Sequence, residues 1–197
     1  TVAIAAVYGP RELYPGFLQD PSKGVLRCEY NMMAFSGSGD RVKPGGNRRS
    51  KEISSVSQRA LLPVLDLTPY AGTVIDVFIE LIQTDAGTRC AGITAAAMAL
   101  ADAGIPMKDL ITAVSIGKID GKLIVDLNYI EDSGEGGVDL PLAMSTRTGQ
   151  VTLLQMDGEL TKDELKELLS MGKKACEKIK EVQTKALLDK YSWGAKE

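Results

Sequence analysis

Apolar positions along this chain follow two periodicities, one of strands and one of helices, interleaved from end to end. The apolar run from Val2 to Tyr8 predicts a strand, with Gly9-Pro10 as its stop. Residues 25–33 alternate, with Leu26, Cys28, Tyr30 and Met32 on one face and Arg27, Glu29 and Asn31 on the other, as a half-buried strand does. Ile53, Val56, Ala60, Leu61, Val64 and Leu65 then recur at helical spacing, in a stripe that Pro63 should kink or end. Residues 73–83, rich in β-branched side chains, read as a central strand. Thr84 to Arg89 makes a tight turn into an alanine-rich helix closed by Gly104.

Beyond it, Asp120-Gly121 between apolar stretches 111–119 and 122–127 is a hairpin signal. An acidic loop over 128–138 and strands near 138–145 and 150–156 follow. Thr161 and Glu164 form the T-x-x-E of a capping box. The helix it opens runs to about Tyr191, with Leu165, Leu168, Leu169, Ala175, Ile179, Val182, Ala186 and Leu187 as its inner stripe. The class is α+β, helices packed on mixed sheets, and no repeat or linker divides residues 1–197 into separate domains. The chain opens at Thr1 inside an apolar run, so residues are expected to precede it.

Composition narrows the chemistry. The 197 residues include no histidine and three cysteines, with a net charge of −3. No Ser-His-Asp triad, Cys-His pair or histidine metal site can be built from them. Acid–base work falls to Asp, Glu, Lys, Tyr or a bound water or metal. Cys28, Cys90 and Cys176 are odd in number, far apart and without C-x-x-C spacing, which fits packing residues in a reducing compartment. With no apolar run of bilayer length and no leader-like start, a soluble cytoplasmic protein is expected.

Charge is unevenly placed. Arg41, Lys43, Arg48, Arg49 and Lys51 cluster without an acid, around a Gly- and Pro-rich surface loop at 36–47 that should be mobile. Asp126, Glu131, Asp132, Glu135 and Asp139 cluster without a base. That placement points to a focused site and not to a general polyanion-binding surface.

Three groups can carry chemistry. Gly87, Thr88 and Arg89 sit at a strand-to-helix turn, where free N–H groups, a hydroxyl and a guanidinium suit an oxyanion; the plain alternative is Asp85 or Thr88 as a helix cap. Arg48 and Arg49 precede the first helix, where the dipole disfavours them unless an anion is bound, and Arg59 lies further along it. Asp132 and Asp139 are a carboxylate pair suited to proton donation or to a divalent metal. Together these are the parts of a phosphoryl-transfer site.

R-x-x-E-I (Arg49 to Ile53), QTDAGTR-x-A-x-I-T-A (Gln83 to Ala95), ADAGIPM (Ala101 to Met107), DLNYIED followed by VDLP, VYGPRE (Val7 to Glu12) and VTLLQMDGELT resemble the RNase PH-type phosphorolytic exoribonucleases. The resemblance spans nearly the whole chain and is strongest to the catalytic RNase PH-like subunit of archaeal exosomes. It implies the RNase PH fold, of ribosomal-protein-S5-domain-2 type. It also implies 3′→5′ degradation of single-stranded RNA, with inorganic phosphate as co-substrate and nucleoside 5′-diphosphates as products.

By the same resemblance, Gly87, Thr88, Arg89 and Arg49 bind phosphate, and Arg48, Arg49 and Arg59 bind RNA. Asp132 and Asp139 are catalytic and hold Mg²⁺ or Mn²⁺. Two departures stand out. Asp132 and Asp139 are seven positions apart where the family usually has six. The segment after YGPRE reads YPGFL without the family's RNA-guiding arginine, leaving Arg11, or stacking on Tyr14 or Phe17, to take that place. The implied partners are a paralogous RNase PH-like subunit in a hetero-hexameric ring and RNA-binding cap subunits. A non-catalytic ring subunit, or a homohexameric tRNA-trimming RNase PH, is the alternative.

Overall fold

The computed structural model describes residues 1–37, 43, 46–132, 134 and 136–192. Arg41, most of the loop at 36–47, and Glu135 of the acidic segment therefore lie outside the described residues. Two sheets organise the rest. The first holds β1 (Val2–Glu12), β2 (Val25–Met32) and β3 (Thr73–Gln83) in the order β1-β3-β2, with β1 antiparallel and β2 parallel to the central strand. The second is antiparallel throughout: β4 (Ile111–Ile119), β5 (Lys122–Val125), β6 (Val138–Ser145) and β7 (Val151–Leu154), ordered β5-β4-β6-β7.

Helix α1 (Arg48–Leu61) packs on β2, and α2 (Thr88–Asp102) lies against β1, β3 and β4, touching both sheets. A short α3 (Tyr129–Asp132) interrupts the acidic loop, and α4 (Lys162–Ser192) covers β4, β5 and β6. Alternation in the strands divides the core. Ile75, Val77, Ile79 and Leu81 of β3 meet α1 and α2, with Ile111 and Ala113 of β4 in the same cluster. Val114 and Ile116, on the other face of β4, pack with Leu168 and Cys176 of α4. Ile93 and Leu100 of α2 are fully buried, each stabilising by about 2 kcal/mol, so the body of α2 is held firmly between the sheets.

Three expectations change. Gly9-Pro10 does not end β1; the register shifts between Tyr8 and Arg11, and the strand resumes to Glu12 past a bulge. Gly9 has φ +117°, and a Cβ there would lie 2.6 Å from the Val74 carbonyl, so only glycine fits. The acidic loop contains α3, capped by Asn128, whose side chain accepts from the Glu131 N–H at 3.0 Å while the Glu131 carboxylate accepts from the Asn128 N–H at 2.8 Å.

In α4 the expected stripe holds at Leu168, which is buried, and at Leu165, Leu169, Ala175 and Ile179, which pack half-buried against the second core. Gly172, Cys176 and Gln183 are also buried, whereas Val182 is 69% exposed and Ala186 is exposed too. Gln183 turns inward because its amide donates to the carbonyls of Thr94 at 3.2 Å and Ile111 at 3.3 Å. All three cysteines are free and buried, as their apolar reading predicts. Among the described residues, no helix is long and apolar enough to cross a membrane.

Candidate active site

Two helix N-termini and the acidic loop meet at a cavity of about 520 Å³. Arg49 enters from the first turn of α1, which holds no acidic side chain; the nearest acid on the helix, Glu52, stands one turn further on and lines the same cavity. Asn47 caps that helix, its side chain accepting from the Ser50 N–H at 2.7 Å while the Ser50 hydroxyl accepts from the Asn47 N–H at 2.9 Å. Gly87, Thr88 and Arg89 enter from α2. Here the cap is neither Asp85 nor Thr88. Gly87 is the N-cap, left-handed at φ +57° with no side-chain cap bond, and the preceding Ala86 is also left-handed at φ +52°. A non-glycine residue held in that region costs about 1–3 kcal/mol, and Ala86 itself lines the cavity.

Asp132 ends α3 and Asp139 is the second residue of β6, and both line the cavity. Between them the Gly137 N–H donates to the Gly134 carbonyl at 3.1 Å. Asp139 is fixed twice. Its backbone exchanges hydrogen bonds with Asp157, at 3.1 Å and 2.9 Å, and its Oδ1 accepts the hydroxyl proton of buried Ser115 on β4. The Asp132 carboxyl is raised above the ordinary carboxylate range by burial first and by the negative charge of Asp139 second, with Asp157 adding to it. Arg49 and Arg89 oppose the shift. Asp132 is therefore easier to protonate than an isolated carboxyl, which is the direction of shift that suits a proton donor.

Six of the residues singled out by sequence therefore converge: Arg49, Gly87, Thr88, Arg89, Asp132 and Asp139. Three others do not line the cavity. Arg48 is exposed at the start of α1. Arg59 is ten residues beyond Arg49, about 15 Å along the helix, and donates to Ser55 Oγ at 3.0 Å. Arg11 lies on the first sheet, where it and Arg27 grip Asp76 at 2.5 and 2.6 Å.

Sequence reading missed Glu52, Ser115, Gln155 and Asp157, all of which line the cavity. Glu52 is the acid of R-x-x-E-I, one turn after Arg49, and Gln155-Met156-Asp157 lies inside VTLLQMDG, so both stretches carried a signal. Ser115 had none, being one of three polar residues, with Thr112 and Lys118, in an otherwise apolar strand. Cys90 also borders the cavity, but burial pushes its thiol pKa far up, so it packs and does not react.

Residues 1–106 match the first domain of the 3′ exoribonuclease family, RNase PH, and residues 109–175 match its second domain. The chain belongs to the RNase PH family. Its site straddles the family's two parts: Arg49 and Arg89 come from the first, Asp132 and Asp139 from the second. Over 188 residues the chain is 50% identical to exosome complex component Rrp41 of Methanopyrus kandleri, covering 95% of this chain and 78% of that protein. It is 53% identical to exosome complex component Rrp41 of Thermococcus kodakarensis, covering 95% and 75%. The crystal structure of rice (Oryza sativa) Rrp46 has the same fold, with a TM-score of 0.81 over 94% of this chain and 83% of that one, at 22% identity. The RNase PH fold expected from the motifs is the fold observed.

Proposed function

We propose that this RNase PH chain shortens single-stranded RNA from its 3′ end by phosphorolysis, as the catalytic subunit of an archaeal exosome ring. The observation that carries the reading is the convergence of Arg49 and Arg89, from two helix N-termini, on the carboxylates of Asp132 and Asp139. The exosome setting rests on the likeness to the Rrp41 components, and the alternating partner is a paralogous RNase PH-like subunit, with RNA-binding cap subunits on the ring.

Inorganic phosphate sits on the Gly87–Arg89 turn, held by N–H groups, the Thr88 hydroxyl and the Arg89 fork. Arg49 neutralises the phosphodiester of the terminal nucleotide. A phosphate oxygen attacks that phosphorus, the bond to the 3′ oxygen of the preceding nucleotide breaks, and a nucleoside 5′-diphosphate leaves. Asp132 delivers a proton to the departing 3′ oxygen, and phosphate supplies one in return. Positioning and charge neutralisation supply most of the rate, so the lack of histidine is no handicap.

Asp132 and Asp139 fit a hard divalent cation. Among the described residues there is no group of three or more ligating side chains, and Mg²⁺ is commonly held by one or two carboxylates plus waters and substrate phosphate. Ser115 occupies Asp139 Oδ1 and leaves Oδ2 for the cation. Mg²⁺ or Mn²⁺ bound there would offset the charge gathering on the phosphate oxygens. Further along the strand, Arg48 and Arg59 on α1 contact the RNA backbone. The exposed rings of Tyr14 and Phe17 offer stacking surfaces. Arg11 contributes there only by leaving Asp76.

The test is incubation of the assembled complex with single-stranded RNA, with and without phosphate. Phosphate-dependent release of nucleoside diphosphates supports the reading, and release of monophosphates without phosphate contradicts it.

A further inference from the structure

Gln155, just beyond β7, stands between two oppositely charged side chains of the site. Its Oε1 accepts from Arg89 Nη1, and its Nε2 donates to Glu52 Oε1 at 3.1 Å. The orientation of the amide is dictated by its neighbours. A guanidinium only donates and a carboxylate only accepts, so a flipped amide would face repulsion at both ends. The backbone N–H of Gln155 donates to the Pro141 carbonyl on β6 at 3.3 Å, which ties the residue to the strand that carries Asp139. One residue thus connects α1 and α2 through its side chain and β6 through its backbone.

What it separates matters as much as what it joins. Arg89 Nη1 and Glu52 Oε1 are 3.5 Å apart, beyond the 2.7–2.9 Å of a charge-assisted hydrogen bond. Arg89 sits in the first turn of α2, where the helix dipole disfavours a cation, so a nearby carboxylate attracts it strongly. A direct Arg89–Glu52 fork would occupy the donors that an incoming oxyanion needs. Gln155 takes one donor, blocks the approach and leaves the other guanidinium N–H groups for the cavity.

We propose that Gln155 is a positioning residue: it spaces Arg89 from Glu52 and so keeps the guanidinium available to inorganic phosphate. This deepens the phosphorolytic reading, since it takes the Arg89 turn as the phosphate site. Removing the amide lets Arg89 close on Glu52. Removing the Glu52 charge as well takes away what it closes on.

The experiment titrates inorganic phosphate calorimetrically into the assembled complex carrying wild-type chain, Gln155→Met, or Gln155→Met with Glu52→Gln. RNA turnover is measured in parallel at varied phosphate. Methionine keeps the length and volume of the side chain, and Gln155→Leu serves as a second variant should it fold poorly. The expected result is a Kd for phosphate weakened ~10-fold in Gln155→Met, with KM for phosphate rising alike and kcat within about 3-fold. The double variant should recover affinity to within about 3-fold of wild type. A Kd unchanged by Gln155→Met, a loss not recovered in the double variant, or a wild-type complex that takes up no phosphate overturns the assignment. A complex that shows the expected Kd pattern yet turns over RNA equally well without phosphate sustains the assignment and sinks phosphorolysis instead.

Discussion

The carboxylate of Asp85 accepts the backbone N–H of Tyr129 at 2.8 Å, across 44 positions of sequence. Asp85 opens the turn that presents Gly87 to Arg89, and Tyr129 begins the short helix that ends in Asp132. One hydrogen bond therefore ties the proposed phosphate turn to the short helix that carries the proposed proton donor.

Asp85→Ala should let α3 drift from that turn. A near-attack geometry displaced by about 1 Å loses on the order of 100-fold in rate. Partial drift predicts kcat down about 10-fold with KM for phosphate little changed. Asp85→Asn keeps an acceptor and should retain most activity. Steady-state kinetics of both variants at varied phosphate check this.

Removing the proton donor is more severe. Asp132→Asn should lower kcat by about 10²–10⁴-fold, the usual contribution of general acid catalysis, while RNA binding in a filter assay stays near wild type. Loss of RNA binding in parallel with turnover would assign Asp132 to binding instead.

Ser115→Ala removes the hydroxyl that fixes Asp139. A hydrogen bond to a charged group contributes about 1.5–3 kcal/mol, so kcat should fall at least about 10-fold and half-saturation in Mg²⁺ should rise. Titration of Mg²⁺ at saturating phosphate measures both.

Acid sensitivity should reside away from the site, at Asp109. Burial alone would raise its carboxyl, but hydrogen bonds from Lys180, Ser145 and the Arg147 N–H hold it below the ordinary range. A depressed folded-state pKa adds stability above the unfolded value near 3.9, and that stability is lost as pH falls through the folded value. Asp109→Ala should cost about 2–4 kcal/mol at pH 7 and flatten the fall in stability below about pH 4. Thermal melts of both forms from pH 7 to pH 3 test it.

Much of this was legible in the sequence because local rules and tertiary packing agree. The β-branched run at 73–83 is β3, Asp120-Gly121 turns the β4–β5 hairpin, and Thr161 with Glu164 opens α4. Readings failed where a tertiary partner outweighed local preference. Gln183 displaced Val182 from the inner face of α4 because two backbone carbonyls needed a donor. Gly9-Pro10, a stop by local rules, became a bulge because β3 continues alongside it.

The site shows the same division. Arginines at helix starts and paired carboxylates carry a chemical signature in sequence. Ser115 and Gln155 act through particular neighbours 24 and 66 positions away, which only the folded chain reveals. The net charge of −3 gave no hint of an RNA substrate, because a single strand in a channel needs only a few well-placed cations.

The most direct test of phosphorolysis follows the attacking oxygen. The assembled complex degrades single-stranded RNA in buffer containing ¹⁸O-labelled inorganic phosphate, and the released nucleotides are weighed by mass spectrometry. The account predicts nucleoside 5′-diphosphates whose terminal phosphoryl group carries the label. Unlabelled nucleoside 5′-monophosphates, formed at the same rate without phosphate, would contradict it.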